Sequence, residues 1–308
     1  MNELQNIYSG FVQYVFPQYT QELEELLKKA RKDPESEAVH DLRVCARRCR
    51  QMIGIVRAFL PYGAYKSTCQ FLDGLVSQFS SLRNRDVFTD YLEKLKSHPR
   101  ASRFPLALKN LLKRERRKRL KQSRKLDSFW KDPFFQRRNQ IFEGISQLLP
   151  HTNPNGDVCK KLASQMTRQH DAALKEVRSQ YSTLFSQNND KTLHGFRAAL
   201  RRLRYTSEIV AHLSGTPGPS VTNRMKAWQT DVGRIHDIDV FLTRVRKRSA
   251  KVLSSEDFLL VKDLNALEKH LLCERAEAAR QFLKNLRRDQ NWLNSGQAEP
   301  DWKKLTNR

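Results

Sequence analysis

Apolar residues recur every three or four positions along most of this chain, the spacing that buries one side of an α-helix. Leu, Ala, Glu, Lys, Arg and Gln dominate these stretches. With only 11 Gly and 11 Pro, the chain has too few tight turns for a β-sandwich or barrel. No segment alternates with a period of two over enough length to need a sheet, so the sequence predicts an all-α fold. The predicted helices span about 3–30, 35–60, 64–97, 103–130, 134–149, 157–187, 191–213, 220–250 and 255–296.

One basic motif occurs twice along the predicted helices. Residues 39–50 are VHDLRVCARRCR and residues 193–204 are LHGFRAALRRLR. The two segments share one His and four Arg, each 154 positions apart, as in 40 and 194. Shared residue types at constant spacing indicate an internal repeat.

A second pair of motifs follows in the same order. Residues 83–87 (RNRDV) correspond to residues 236–240 (HDIDV), in which the shared Asp-Val pairs are 153 positions apart. The two pairs together predict duplication of a unit of about 150 residues. We place the first repeat at 1–149 and the second at 157–308. The Pro- and Gly-containing segment 150–156 is the predicted linker.

The repeated segments place their basic residues on one side of a helix. At about 100° per residue, the His and three of the Arg residues share an arc of about 80°. The basic stripe of the first copy is His40, Arg43, Arg47 and Arg50, and that of the second is His194, Arg197, Arg201 and Arg204. Separate apolar faces are formed by Leu42, Cys45, Ala46, Cys49, Ile53 and Val56, and by Phe196, Ala199, Leu200 and Leu203.

A row of guanidinium groups is unfavourable on a helix unless acidic groups neutralise it. We expect no Asp or Glu three or four positions further on to pair these arginines, so an external oxyanion is the expected partner. Arginine suits phosphate because its planar fork donates two parallel hydrogen bonds and keeps its charge. A solvated surface is the usual interpretation of a basic stripe, but duplication in the same phase favours a binding function.

The overall charge agrees with a polyanionic partner. Lys plus Arg number 57 against 33 Asp plus Glu, giving a net charge of +24. Nucleic acid, an anionic membrane and an inorganic polyanion are the candidates. We find no signal peptide and no apolar run of about 20 residues that would span a membrane. The five cysteines lack disulfide-framework spacing, so a reduced, cytoplasmic protein is expected.

The sequence lacks three motifs that are typical of catalytic sites. The sequence has no Gly-rich phosphate loop, no Gly-x-Ser-x-Gly and no His-Glu-x-x-His. No Cys or carboxylate stands at zinc spacing beside His40, His194 or His236. We therefore expect no catalytic residue, bound metal or cofactor. Asp86 and Asp239 are expected to pair with neighbouring basic residues rather than to catalyse.

These motifs resemble a known family. His40-x-x-Arg43-x-x-x-Arg47-Arg48-x-Arg50, its copy from His194, and the Asp-Val segments are similar to the CHAD family, the conserved-histidine α-helical domain. The resemblance covers nearly the whole chain. It implies two tandem four-helix bundles related by a pseudo-twofold, with the His-Arg helices lining a basic central cavity. It also implies binding of inorganic polyphosphate and association with polyphosphate granules.

The resemblance also implies which residues contact the ligand. It implies phosphate contacts from His40, Arg43, Arg47, Arg48, Arg50, His194, Arg197, Arg201, Arg202 and Arg204, of which Arg48 and Arg202 flank the stripes. Further basic residues predicted to contact the polyanion are Arg57, Arg83, Arg114, Arg117, Lys118, His236 and Arg280. The helix carrying residues 113–119 has a predicted counterpart in the helix carrying Arg275 and Arg280, and sequence spacing leaves the register between the two open.

The leading hypothesis is non-catalytic binding of inorganic polyphosphate. Nucleic-acid binding is the alternative, since the same charge permits it, but base stacking favours aromatic residues between the basic ones and neither stripe contains any. A polyphosphate-cleaving enzyme is disfavoured because no acidic metal-binding motif accompanies the arginines. A membrane-surface role is disfavoured because Trp and Leu anchors do not flank the stripes.

Overall fold

The structure is a computed structural model that describes residues 3–136, 138–149, 155–186, 189–214, 219–254, 256–289 and 291. Within these residues every regular element is helical and no strand is present. The predicted all-α class is therefore confirmed. The tandem four-helix bundles, their pseudo-twofold and the basic central cavity stay predictions.

The helices follow the predicted order closely. They are α1 (Glu3–Gly10), α2 (Phe16–Lys32), α3 (Ser36–Ile55), α4 (Tyr62–Lys96), α5 (Pro105–Trp130), α6 (Pro133–Gln136), α7 (Arg138–Leu148), α8 (Gly156–Ser186), α9 (Asp190–Ser214), α10 (Pro219–Leu253) and α11 (Phe258–Arg288). A π-helical turn, Phe11–Val15, joins α1 to α2, so the first predicted helix is continuous but locally widened. Short 3₁₀ turns follow α3 and precede α5.

Side-chain caps explain where several helices begin. The Asn189 side-chain oxygen accepts a hydrogen bond from the Thr192 backbone N–H at 3.0 Å, and the Thr192 hydroxyl accepts one from the Asn189 N–H at 3.2 Å. This reciprocal cap fixes the start of α9. Asn155 caps α8 through the Val158 N–H at 2.9 Å, and Asp257 caps α11 through the Leu260 N–H at 3.1 Å.

The chain forms two compact units. The larger unit comprises the described parts of Met1–Phe79, Ser128–Gln229 and Asp289–Arg308, and the smaller unit comprises those of Ser80–Asp127 and Thr230–Arg288. Each unit takes residues from both predicted repeats, so the compact units do not coincide with the predicted division at 1–149 and 157–308. That division stays a prediction about duplication along the sequence. The predicted linker lies mostly outside the described residues.

The larger unit is built around the two helices that carry the repeated motif. Helix α2 packs against α3, α8 packs against α9, and α3 contacts both α8 and α9. The five cysteines, all of which the structure describes, form no disulfide, and Cys45, Cys49, Cys69 and Cys159 are buried.

The smaller unit has its own apolar core. Phe88 of α4 stacks on Phe241 of α10 with ring centroids 4.7 Å apart. Leu111 of α5 and Leu264 of α11 are buried in the same cluster. Burial of these aromatic and aliphatic side chains stabilises the unit independently of any ligand.

Candidate anion-binding site

Helices α3 and α9 present the two stripes as their amphipathic patterns predict. Leu42 and Cys49 of α3 and Phe196 and Leu200 of α9 are fully buried. The predicted apolar faces are therefore confirmed, and they fix the rotation of both helices. With these faces packed inward, the histidines and arginines of each helix project from its other side.

Arg47 and Arg201 come together at the contact between α3 and α9. Both side chains are partly buried, and both lie beside Tyr205 of α9. Burial lowers the pKa of Arg47, although a hydrogen bond that Arg47 donates to the Tyr205 hydroxyl opposes this shift. Burial, followed by the charges of Arg47 and Arg197, lowers the pKa of Arg201 from 12.5 to about 10. The central arginines of the two stripes therefore repel each other across a helix contact.

No carboxylate of the described residues offsets this repulsion. Among the residues that the structure describes, neither Arg47 nor Arg201 forms an ion pair with Asp or Glu. Partly buried like charges without a counterion are unfavourable, and both groups stay protonated at neutral pH. An anion with several oxygens, placed against both guanidinium groups, would reverse the sign of the interaction.

The flanking arginines, Arg48 and Arg202, differ from the central arginines because each has an acidic partner on the preceding helix. Arg48 Nε lies 3.1 Å from Glu208 Oε2, and its Nη1 lies 4.0 Å from Glu22 Oε1 of α2. Arg202 pairs with Glu176 of α8. Burial opposes the charge of Arg48, but Glu208 and its other neighbours outweigh it and raise the pKa of Arg48.

The partner carboxylates Glu22 and Glu176 stand 154 positions apart, as Arg48 and Arg202 do. The sequence interpretation missed both glutamates, although extending the repeat upstream of the basic motif would have revealed them. Arg48 and Arg202 were predicted to contact phosphate, and the structure places their charges in ion pairs.

One expectation about the stripes is wrong. Arg204 has an acidic residue four positions further on, and its Nε lies 3.4 Å from Glu208 Oε1. Arg204 also lies over the ring of Tyr205, with its Cζ 4.8 Å from the ring centroid. This end of the second stripe is therefore neutralised from within α9, because Glu208 pairs with both Arg48 and Arg204.

Side chains of α4 contact the C-terminal end of the first stripe. Arg50 Nε lies 3.5 Å from Asp73 Oδ2. The Cζ atoms of Arg50 and Arg57 lie 5.8 and 5.1 Å from the centroid of the Tyr65 ring. Cation–π contact orients both guanidinium groups without cancelling their charge. Tyr65 and Tyr205 are the aromatic neighbours that the motif alone did not reveal.

The remaining stripe residues lie at the N-terminal ends of the same helices. His40 of α3 and His194 of α9 are exposed, and Arg43 and Arg197 are half-buried. Each of the four has a polar or electrostatic contact within the chain. Arg197 lies close enough to Arg201 for its charge to lower the pKa of Arg201. The structure thus joins Arg47, Arg197 and Arg201 in one cluster.

Six of the further predicted contacts lie in the smaller unit, and they do not share one environment. Lys118 lies near Arg114, and burial followed by the charge of Arg114 lowers the pKa of Lys118. Arg117 is exposed. Arg280 is also exposed and pairs with Glu277 at 2.5 Å on its own helix. Arg83 and His236 lie on α4 and α10, and each has contacts within the chain.

The smaller unit also contains a buried carboxylate between two arginines that the sequence interpretation did not select. Glu115 of α5 is 3% exposed, and its Oε2 accepts a hydrogen bond from Arg85 Nη1 at 2.6 Å. Arg244 of α10 pairs with the same oxygen. Burial lowers the pKa of Arg244, although Glu115 opposes the shift. These three side chains form a closed ion-pair network.

Asp86 and Asp239 have the structural role that we predicted. Arg119 Nε of α5 lies 2.5 Å from Asp86 Oδ1, and Arg275 of α11 pairs with Asp239. The two pairs also fix the correspondence between α5 and α11, which sequence spacing left open. Arg119 and Arg275 are 156 positions apart, whereas the aspartates are 153 apart.

Two other properties concern only the described part of the chain. Within it, no group of three or more His, Cys, Asp or Glu side chains is placed to hold a metal ion. None of its helices has the length and apolar character needed to cross a bilayer.

Comparison with known proteins identifies the family. The sequence model of the CHAD domain matches residues 16–246. A search of curated proteins gave no match. The fold is similar to the CHAD domain of the plant Ricinus communis, with a TM-score of 0.64, 13% identity and 91% of each chain covered. It is also similar to PptA from Streptomyces chartreusis, with a TM-score of 0.58, 16% identity, and 91% of this chain and 98% of that chain covered. The structural likeness supports the fold, the sequence match spans most of the chain, and the chain therefore belongs to the CHAD domain family.

Proposed function

We propose that this chain binds inorganic polyphosphate, without a catalytic step, through the cluster around Arg47 and Arg201. The observation that carries the proposal is that these two half-buried arginines, one from each copy of the motif, lie together without an acidic partner among the described residues. Membership of the CHAD family supports the same ligand through the motif that the chain shares with it.

Polyphosphate suits this cluster because it is a linear chain of negatively charged phosphates. One phosphate between Arg47 and Arg201 removes their mutual repulsion. Its neighbours along the polymer then reach the other basic residues of the two stripes, such as Arg43 and Arg197. Each further contact releases counterions and is made at high effective concentration, so affinity rises with polymer length.

The surrounding groups favour binding over catalysis. Guanidinium groups donate hydrogen bonds but do not accept protons at neutral pH, so they serve poorly as general bases. The nearby carboxylates Glu22, Glu176 and Glu208 are engaged in ion pairs with arginines. A cluster of this kind holds an anion in place.

The proposal is tested by titrating the full chain with long and short polyphosphate at several salt concentrations. We expect tight binding of the long polymer, a steep loss of affinity with salt and weaker binding of short chains. Weak binding that is indifferent to polymer length would overturn the proposal. Competition with excess RNA and duplex DNA completes the test, because a strong preference for nucleic acid would assign the cluster to that ligand instead.

A cytoplasmic location on polyphosphate granules is part of the same proposal. A fluorescent fusion of the chain should co-localise with stained granules, and the Arg47→Gln/Arg201→Gln variant should be diffuse. Granule association that survives this double substitution would contradict the assigned residues.

A further inference from the structure

A second site lies in the larger unit, in a cavity of about 600 Å³ between the end of α3, the middle of α8 and α9. Neither Arg47 nor Arg201 lines it. The polar side chains around it are Gln51, Arg57, Gln165, Arg168, Gln169 and Arg202. The volume lies within the range of sites for small molecules.

Two alanines explain why this space is open. Ala58 and Ala173 line the cavity. The residues 154 positions from them, His212 and Tyr19, are in edge-to-face contact with ring centroids 6.4 Å apart. Two aromatic rings in contact therefore stand at the positions that the repeat spacing pairs with the two alanines. Small side chains at positions 58 and 173 leave space that larger rings would occupy.

The charge in the cavity favours an anion. Three arginines line it against one carboxylate, Glu176, which is engaged by Arg202. Arg57 is oriented by the Tyr65 ring. Arg168 is exposed and forms no ion pair with a carboxylate among the described residues. Arg57 and Arg168 are therefore available to bind a phosphate through charge-assisted hydrogen bonds.

The three glutamines indicate that the ligand carries a second hydrogen-bonding group besides its phosphate. Gln169 Nε2 donates a hydrogen bond to the Gly54 carbonyl at 2.9 Å, which fixes the orientation of its carboxamide. A Cβ atom at position 54 would lie 3.1 Å from the same carboxamide, so glycine permits this close approach. Carboxamides offer donors and acceptors together, the combination that matches the edge of a nucleobase.

From this lining we infer that the cavity binds a small nucleoside phosphate. The phosphate lies against Arg57 and Arg168, and the base or sugar lies against Gln51 and Gln165. This site does not include Arg47 or Arg201, the central pair of the proposed polyphosphate cluster.

The experiment is calorimetric titration of the full chain with AMP, ADP and orthophosphate. We expect saturable 1:1 binding of at least one nucleotide and much weaker binding of orthophosphate. Arg168→Gln, a change at an exposed position, should weaken nucleotide binding about 10-fold. Ala173→Tyr should abolish it by filling the cavity, with circular dichroism confirming that the variant is folded.

The matched control is Arg47→Gln/Arg201→Gln, which should leave nucleotide affinity within about twofold, because neither residue lines the cavity. Absence of nucleotide binding to the folded wild-type chain overturns the inference. Equal affinity for orthophosphate and AMP also overturns it, as does loss of nucleotide binding in the double variant but not in the cavity variants. Polyphosphate binding is measured separately on the same variants, so failure of either site is recognised on its own.

Discussion

Two pairs of arginines in this chain come together from two different helices. The pairs differ in the group that lies between the two guanidinium groups. In the smaller unit, Arg85 of α4 and Arg244 of α10 converge on the buried carboxylate of Glu115. In the larger unit, Arg47 of α3 and Arg201 of α9 both lie beside Tyr205, whose hydroxyl accepts a hydrogen bond from Arg47. The first arrangement satisfies its charges internally and stabilises the fold. The second has no acidic partner among the described residues, which is the arrangement that the proposed anion site requires.

The largest effect is expected at Glu115. Glu115→Gln removes the negative charge between two partly buried guanidinium groups, so we expect the free energy of unfolding to fall by about 3 kcal/mol. Urea denaturation measures this change. Glu277→Gln, in an exposed pair with Arg280, is the control and should cost less than about 0.5 kcal/mol. Equal stability of the two variants would contradict a structural role for the Glu115 network.

The next effect concerns affinity. In Arg47→Gln/Arg201→Gln two charge-assisted contacts are lost, and we expect polyphosphate affinity to fall about 100-fold. Arg48→Gln/Arg202→Gln removes the same net charge from residues already in ion pairs, and its loss should stay below about 5-fold. Filter binding at fixed salt compares the two variants. Similar losses in both would show that net charge alone governs binding.

A smaller effect is a gain of stability without ligand. Arg201→Gln removes one member of the repelling pair and should raise the free energy of unfolding by about 1 kcal/mol at pH 7. The pKa of Arg201 is lowered to about 10 in the folded chain, so above that pH the folded state binds fewer protons than the unfolded state. Repulsion in the wild type is then relieved, and the advantage of the variant should shrink as pH rises from 9 to 11.

Urea denaturation of the wild type and of Arg201→Gln at matched pH values gives this difference directly. Arg202→Gln breaks an ion pair with Glu176 and should show no such gain. A variant advantage that is independent of pH would argue against repulsion as its cause.

The smallest effect is expected from the acidic partners. Glu176→Gln releases Arg202 from its ion pair and should raise polyphosphate affinity about 2- to 3-fold. Glu25→Gln, an exposed position on α2, changes the net charge equally and should have a smaller effect. Isothermal titration measures polyphosphate affinity for both variants at physiological salt, where general electrostatic attraction is screened. A larger gain for Glu176→Gln then reflects the release of Arg202 rather than the change in net charge.

The sequence predicted the features that depend on neighbouring residues. The helices and the apolar faces of α3 and α9 follow from periodicity alone, because residues three and four apart share a helix face. The pairing of Asp86 with a basic residue also followed, although its partner Arg119 lies on α5 and is not one of the neighbouring basic residues that were expected.

Helical periodicity could not predict ion-pair partners that are distant along the chain. Arg48 is held by Glu208, 160 positions away, and Arg244 pairs with Glu115, 129 positions away. Both depend on which helices pack together, and every arginine in the motif is chemically the same before packing. Packing therefore decides which arginines are neutralised and which, like Arg47 and Arg201, have no acidic partner among the described residues.

The spacing between corresponding residues also has a practical consequence. It changes from 154 at the basic motif to 153 at the aspartates and to 156 at the arginines that pair with them, while the ion pairs Arg119–Asp86 and Arg275–Asp239 are both retained. Under the predicted duplication, residues were gained and lost between the corresponding positions, and both ion pairs were kept. The connection between α10 and α11, near Ser254, is where a short epitope or reporter peptide should be accepted while the two His-Arg stripes stay intact.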